Sequence, residues 1–245
     1  MVPEKQINEF VTHLRQAAGD SLQSVILYGS AATGDFHPDF SNVNLLVILR
    51  EASLPALAAI APVVEKWAHQ KHHPPLVLTR EELDRSSDVF SIEFLDIKQR
   101  HRVLFGDDPL EQLEVPMHLH RAQVEYELRE KLILLRERIL LDSGDSRRLW
   151  GLLLGSLSGF VTLFRHALIE LGESPAHSKR EAIQALAKRI TFDPSAFLQI
   201  LDVREGKAEK KGFEVKEVLG RYLAAVEQVT AAVDRMLDSS ASRPR

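Results

Sequence analysis

Leu27-Tyr28-Gly29-Ser30 and, a dozen residues on, Ser41-Asn42-Val43-Asn44-Leu45-Leu46-Val47 decide the fold of this chain. The first stretch ends the β-rich run Ser24-Val25-Ile26-Leu27-Tyr28 at Gly29, and Val43 to Leu49 is a second, nearly continuous apolar run of the kind a fully buried strand shows. Gly34, Pro38 and polar residues connect them. The pattern predicts strand, Gly-Ser turn, loop and strand. The second strand presents Asn42 and Asn44 two positions apart, hence on one face.

Outward from this pair, Ile7, Phe10, Val11 and Leu14 recur at helical spacing, predicting an opening amphipathic helix that ends near Gly19. A helix is expected over 55–69 with Leu57, Ile60, Val64 and Trp67 facing inward, then a third strand at Leu76-Val77-Leu78-Thr79 after Pro74-Pro75. Ser91 to Ile97, carrying Glu93 and Asp96, reads as strand-like. After Asp107-Asp108-Pro109 the character becomes helical. Leu119, Val124, Leu128, Leu132, Leu135 and Ile139 form one stripe, and 149–171 is apolar nearly all round, with Gly151, Gly155 and Gly159 placed to let another helix approach. Further helices are expected over 179–189, 195–204 and 216–237, with residues 239–245 as a flexible tail. The expected domains are 1–108, α/β in character, and 109–238, a helical bundle, giving an α+β chain with a cleft between the domains as the default ligand site.

Composition bounds the function. The chain has 245 residues, 44% of them hydrophobic, enough for a substantial core. Its net charge of −4, with acids and bases interspersed, argues against a nucleic-acid partner. The absence of Cys excludes disulfides, thiolate metal sites and a Cys nucleophile, and fits a reducing cytoplasm. The first residues lack the order of a signal peptide, and the longest uncharged run, 149–164, falls short of the roughly 20 residues a bilayer needs, so no membrane association is expected.

Chemistry narrows it further. A Gly after a strand lets backbone approach a phosphate, and a following Ser adds a hydroxyl. Gly29 and Ser30 suit that role. Two carboxylates one residue apart on a strand would grip a Mg²⁺ ion, but the residues in this geometry are Asn42 and Asn44.

On Tyr28-Gly29-Ser30, Gly34-Asp35 and Ser41-Asn42-Val43-Asn44-Leu45-Leu46-Val47, the first hundred or so residues resemble the nucleotidyltransferase superfamily. It includes the polymerase beta type enzymes, the minimal nucleotidyltransferases and the bacterial-type aminoglycoside adenylyltransferases; the helical half resembles the substrate-side bundle of the last. The resemblance implies a nucleotidyltransferase-like mixed β-sheet with flanking helices, followed by an all-α bundle. It also implies a metal triad of Asp-x-Asp and a third acid. Here both Asp positions are Asn, and the strand 74–79 expected to carry the third acid has none. Two lost charges at about 4 Å, with an effective dielectric near 20, are each worth on the order of 4 kcal/mol. Even half that total is roughly a thousandfold in rate.

The expectation is therefore a nucleotide- or phosphate-binding protein, using Gly29, Ser30, Asn42 and Asn44, with lost or strongly impaired catalysis and no metal. The alternatives are an active transferase of nucleoside monophosphate to a small-molecule or protein hydroxyl, with Mg²⁺ and Glu93 as candidate base, and a non-catalytic scaffold or homo-oligomer. Asp35 and Asp39 as substitute ligands, His69, His72 and His73 or His118 and His120 as a metal site, and Lys207 to Lys211 as a phosphate contact are weaker candidates.

Overall fold

The computed structural model describes residues 2–33, 36–38, 40–174 and 178–241. They divide into two compact units, Met1–Leu119 and His120–Arg245. The division falls after Leu119 because Leu110 and Leu113 are buried in the core of the first unit.

In the first unit, helix α1 (Glu4–Ala18) buries the expected Ile7, Phe10, Val11 and Leu14 and ends at Gly19. Strand β1 (Leu22–Tyr28) pairs antiparallel with β2 (Asn44–Leu49), and β2 pairs parallel with β3 (Leu76–Thr79). The sheet is completed by β4 (His101–Gly106), antiparallel to β1, in the order β3-β2-β1-β4. This mixed sheet has helices on both faces. Val43, Leu45, Val47 and Leu49 pack with α1 and with Ile60 and Trp67 of α2 (Leu54–His69). Leu46 and Ile48 point the other way, toward Leu83 of α3 (Arg80–Arg85) and Phe94 and Ile97 of α4 (Ser91–Gln99). Burial on both faces explains why β2 reads as an unbroken apolar run.

Two expectations are corrected here. The segment 91–97 is helical, so Glu93 and Asp96 lie on α4 and not in a strand; Ser91, Ile92, Phe94 and Ile97 turn inward at a helical period. Leu57 is 37% exposed, because α2 meets the sheet through Ile60 and Trp67.

Beyond α2, His72 stacks on Trp67 at 3.9 Å between ring centres and bonds to Gln6 Oε1 at 2.9 Å. Burial holds the His72 imidazole below its ordinary value. The unfolded chain therefore binds more protons here than the native one near the ordinary His pKa of about 6.5. Stability from this group is complete above that pH and declines as pH falls through it. Urea denaturation at stepped pH is expected to show this slope, and His72→Gln to reduce it.

The second unit is entirely helical among its described residues: α5 (His120–Asp142), α6 (Ser146–Glu170), α7 (Lys179–Arg189), α8 (Ser195–Arg204) and α9 (Val215–Ala241). The side chain of Asp145 accepts the amides of Arg147 and Arg148, capping α6, and a Ser178/Glu181 capping box starts α7. Helix α6 is central, packing against α5, α7, α8 and α9. By length and hydropathy it could cross a bilayer, yet Phe160, Val161, Phe164, Ala167 and Leu168 are buried in the bundle, together with Arg165 and His166. The expected role of its glycines is corrected. A Cβ at Gly151 or Gly155 would meet nothing within 4 Å, and one at Gly159 only the Lys131 side chain at 3.7 Å, so no helix backbone closes on this row. Helix α9 continues to Ala241; residues 242–245, the rest of the expected tail, lie outside the described residues.

Candidate functional site

The site builds up at the end of β1 where the strand breaks. Gly29 has φ +74°, a conformation that L side chains rarely adopt, and its amide donates to the Arg100 carbonyl at 3.0 Å. Residues Gly29–Ala31 form a 3₁₀ turn, with the amides of Ala32 and Thr33 returning to the carbonyls of Gly29 and Ser30. On the adjoining strand Asn44 is the register partner of Tyr28. A Cβ at Gly29 would lie 3.3 Å from Asn44 Nδ2, so the amide sits directly over the glycine. Val43 is buried at 2% exposure, Asn44 is half-buried and Asn42 exposed. That alternation sets both amides on the side away from Val43. Asn42 precedes the strand proper and follows a turn in which the Ser41 hydroxyl accepts the His37 amide at 3.0 Å.

Other groups converge on the same end. Burial, and after it the charge of Glu93, push the Tyr28 phenol above its ordinary range, which places Glu93 of α4 in the electrostatic neighbourhood of the turn. Arg100, whose carbonyl holds Gly29, donates to Asp96 at 2.7 Å. His101, the β4 partner of Tyr28, has Nε2 2.9 Å from Asp108, while its Nδ1 is 3.0 Å from the Lys98 carbonyl. Burial would raise the Asp108 carboxyl, but the bonds from His101 and from the amides of Leu110 and Glu111 hold it below its usual value. Sequence reasoning missed His101 and Asp108. Their role depends on β4 pairing with β1, and a strand opening with His-Arg carries little apolar signal.

The other candidates disperse. Asp35 and Asp39 lie outside the described residues. Among the described residues no group of three or more His, Asp or Glu is arranged to hold a metal ion. His72 is committed to Trp67, and the His73 carbonyl accepts the Trp67 indole N–H at 2.9 Å. His120 is fully buried in the second unit, bonded through Nδ1 to Glu170 and through Nε2 to His166 Nδ1 at 2.8 Å. Lys207 pairs with Glu205 at 2.6 Å.

The chemistry of the donor set decides the metal question. Mg²⁺ sheds water reluctantly and is normally held by one or two carboxylates together with phosphates. Asn42 and Asn44 offer neutral amides. These residues do not fit the Mg²⁺ site that the fold family implies.

Residues 5–101 match the family model described as Nucleotidyltransferase domain. Over the whole chain the structure is similar to spectinomycin adenyltransferase AAD(9) from Enterococcus faecialis, solved with ATP and spectinomycin. The match covers 92% of this chain and 98% of that one, with 16% identity and a TM-score of 0.55, a likeness of fold. A toxin-antitoxin structure solved with AMP-PNP matches at 17% identity over 51% of this chain and 94% of that chain, with a TM-score of 0.32, too low to carry an argument. No curated protein sequence matches the chain. With the Gly29-Ser30 turn, Asn42, Asn44 and strands β1, β2 and β3 inside the matched region, and β4 beginning at its last residue, residues 5–101 are a nucleotidyltransferase domain, followed here by a helical unit.

Proposed function

We propose that the chain binds a nucleotide through the Gly29-Ser30 turn, with nucleotidyl transfer lost or strongly impaired. One observation carries the reading: a glycine-serine turn, with Gly29 at positive φ, lies against the neutral amide of Asn44, and Asn42 two residues before it is likewise an amide where catalysis calls for a carboxylate. The substitution also has a positive consequence. A triphosphate carries several negative charges, and two carboxylates beside it would repel it unless a cation lay between. Amides remove that repulsion and can donate N–H groups to phosphate oxygens. Metal-free binding is the physical outcome. The fold shared with a protein solved with ATP and spectinomycin supports a nucleotide over other phosphorylated ligands. Neither a membrane nor nucleic acid enters this reading, and the Cys-free composition suits a reducing cytoplasm.

A second reading, an active transferase with Glu93 as base, is favoured by the influence of Glu93 on Tyr28 beside the turn. Pyrophosphate release from ATP, GTP, CTP or UTP with Mg²⁺ or Mn²⁺ separates the two. No release is expected; release that Glu93→Gln abolishes would transfer the assignment to the active enzyme.

A further inference from the structure

Between α5 and α6 the second unit carries a groove of about 270 Å³. Leu134 and Leu135 of α5 and Leu152 and Phe160 of α6 form its apolar walls. Its room comes from missing side chains: Gly155 and Gly159 also line it, and a Cβ at Gly155 would meet nothing within 4 Å. An apolar cavity of about 150 Å³ is enough to hold benzene, so the space here suffices for a small organic ligand. The lining runs along α6 from Leu152 to Phe160, roughly 12 Å of helix. That volume spread over that length leaves a channel about 5 Å across, the width of one alkyl chain in van der Waals contact with both walls.

Charge identifies the occupant. Helix α6 has no acidic residue before Glu170, and α5 lines the groove with Lys131 and Arg138, nearly two turns apart and so on one side of the helix. Glu130 and Glu137 each precede one of these cations by a single residue, which turns them about 100° away toward the exposed face. The two cations differ. Lys131 reaches Glu127 at 3.0 Å and lays its stem against the Gly159 end, its Cε 3.7 Å from where a Cβ there would stand. Arg138 makes no ion pair among the described residues. The Ser156 hydroxyl, also in the lining, is bonded to the buried Tyr222 hydroxyl at 3.0 Å, which leaves Arg138 as the polar group for a ligand to engage. A guanidinium has five N–H donors and no acceptor, and its fork matches a carboxylate.

We infer that the α5–α6 groove binds a medium-chain aliphatic carboxylate, with the carboxylate on Arg138 and the chain lying over Gly155 toward the Gly159 end. The inference is independent of nucleotide binding. Calorimetry on the full chain with octanoate, and with octan-1-ol as its uncharged counterpart, is the test. Saturable one-to-one binding of octanoate is expected. Arg138→Gln removes the charge-assisted bonds and should weaken octanoate on the order of tenfold while leaving octanol unchanged. Gly155→Leu fills the channel and should abolish both, with unchanged circular dichroism, because it exchanges a poor helix former for a good one at an exposed position. No saturable binding of octanoate at millimolar concentration, a loss in Arg138→Gln that octanol shares equally, or binding that survives Gly155→Leu would each overturn the proposal.

Discussion

Asn42→Asp combined with Asn44→Asp is expected to create a divalent-cation site beside the Gly29-Ser30 turn. Both changes are isosteric, so the turn and the strand register should survive, and only the charge changes. Asn44 lies over Gly29, and Asn42 shares its side of the chain, so the two new carboxylates converge near the same point as the Gly29-Ser30 turn. Each charge contributes on the order of 4 kcal/mol to a cation about 4 Å away at an effective dielectric near 20, before desolvation and screening reduce it. Even a quarter of the sum is on the order of thirtyfold in affinity. Calorimetry with Mn²⁺ and Mg²⁺ is the direct readout. If the double variant binds cation no better than the native chain, the two side chains do not converge as described. Repulsion between the carboxylates in the absence of metal should lower the melting temperature, and metal should restore it.

The largest effect on folding is expected from Gly106→Ala. Gly106 has φ +75° and pairs with Ser24 at the end of β4; a Cβ there would lie 1.9 Å from the Gln23 carbonyl oxygen and 2.9 Å from its carbon. The obstruction is backbone, so no rotamer relieves it. Either β4 parts from β1 or the strand end refolds, and the left-handed conformation adds about 1 kcal/mol for any L side chain. A loss of about 4 kcal/mol or more is expected, read as a fall in the denaturant midpoint. Gly151→Ala is the matched control. Gly151 is exposed in mid-helix with open space where a Cβ would stand, and replacement should stabilise by up to about 1 kcal/mol. A Gly106→Ala protein as stable as its parent would contradict the β1–β4 pairing on which the placement of Arg100 and His101 rests.

How far the sequence discloses this molecule depends on how local each signal is. The Gly29 turn, β2 and the central position of α6 follow from short-range patterns: an apolar run ended by glycine, a strand buried on both faces, a helix apolar nearly all round. The helical state of 91–97 was hidden because a short segment with inward Ile92, Phe94 and Ile97 fits either period. The glycines of α6 show the opposite failure. Their spacing says where side chains are missing, and only the structure shows that no neighbouring backbone moves in to take the room. The bond from His101 to Asp108 and the His120–His166 contact join distant segments through tertiary pairing, which no local pattern encodes. What was legible of the candidate site is the identity of its residues; what was not is their setting, above all the seating of Asn44 over Gly29 and the nearness of Glu93 to Tyr28.

Thermal denaturation of the native chain with each nucleoside triphosphate, with and without Mg²⁺, tests the central claim most directly, because a ligand that prefers the folded state raises the melting temperature by mass action. The account predicts a rise with at least one triphosphate that is the same in the presence and absence of Mg²⁺. A rise that appears only with Mg²⁺, or no rise with any triphosphate at millimolar concentration, would contradict it.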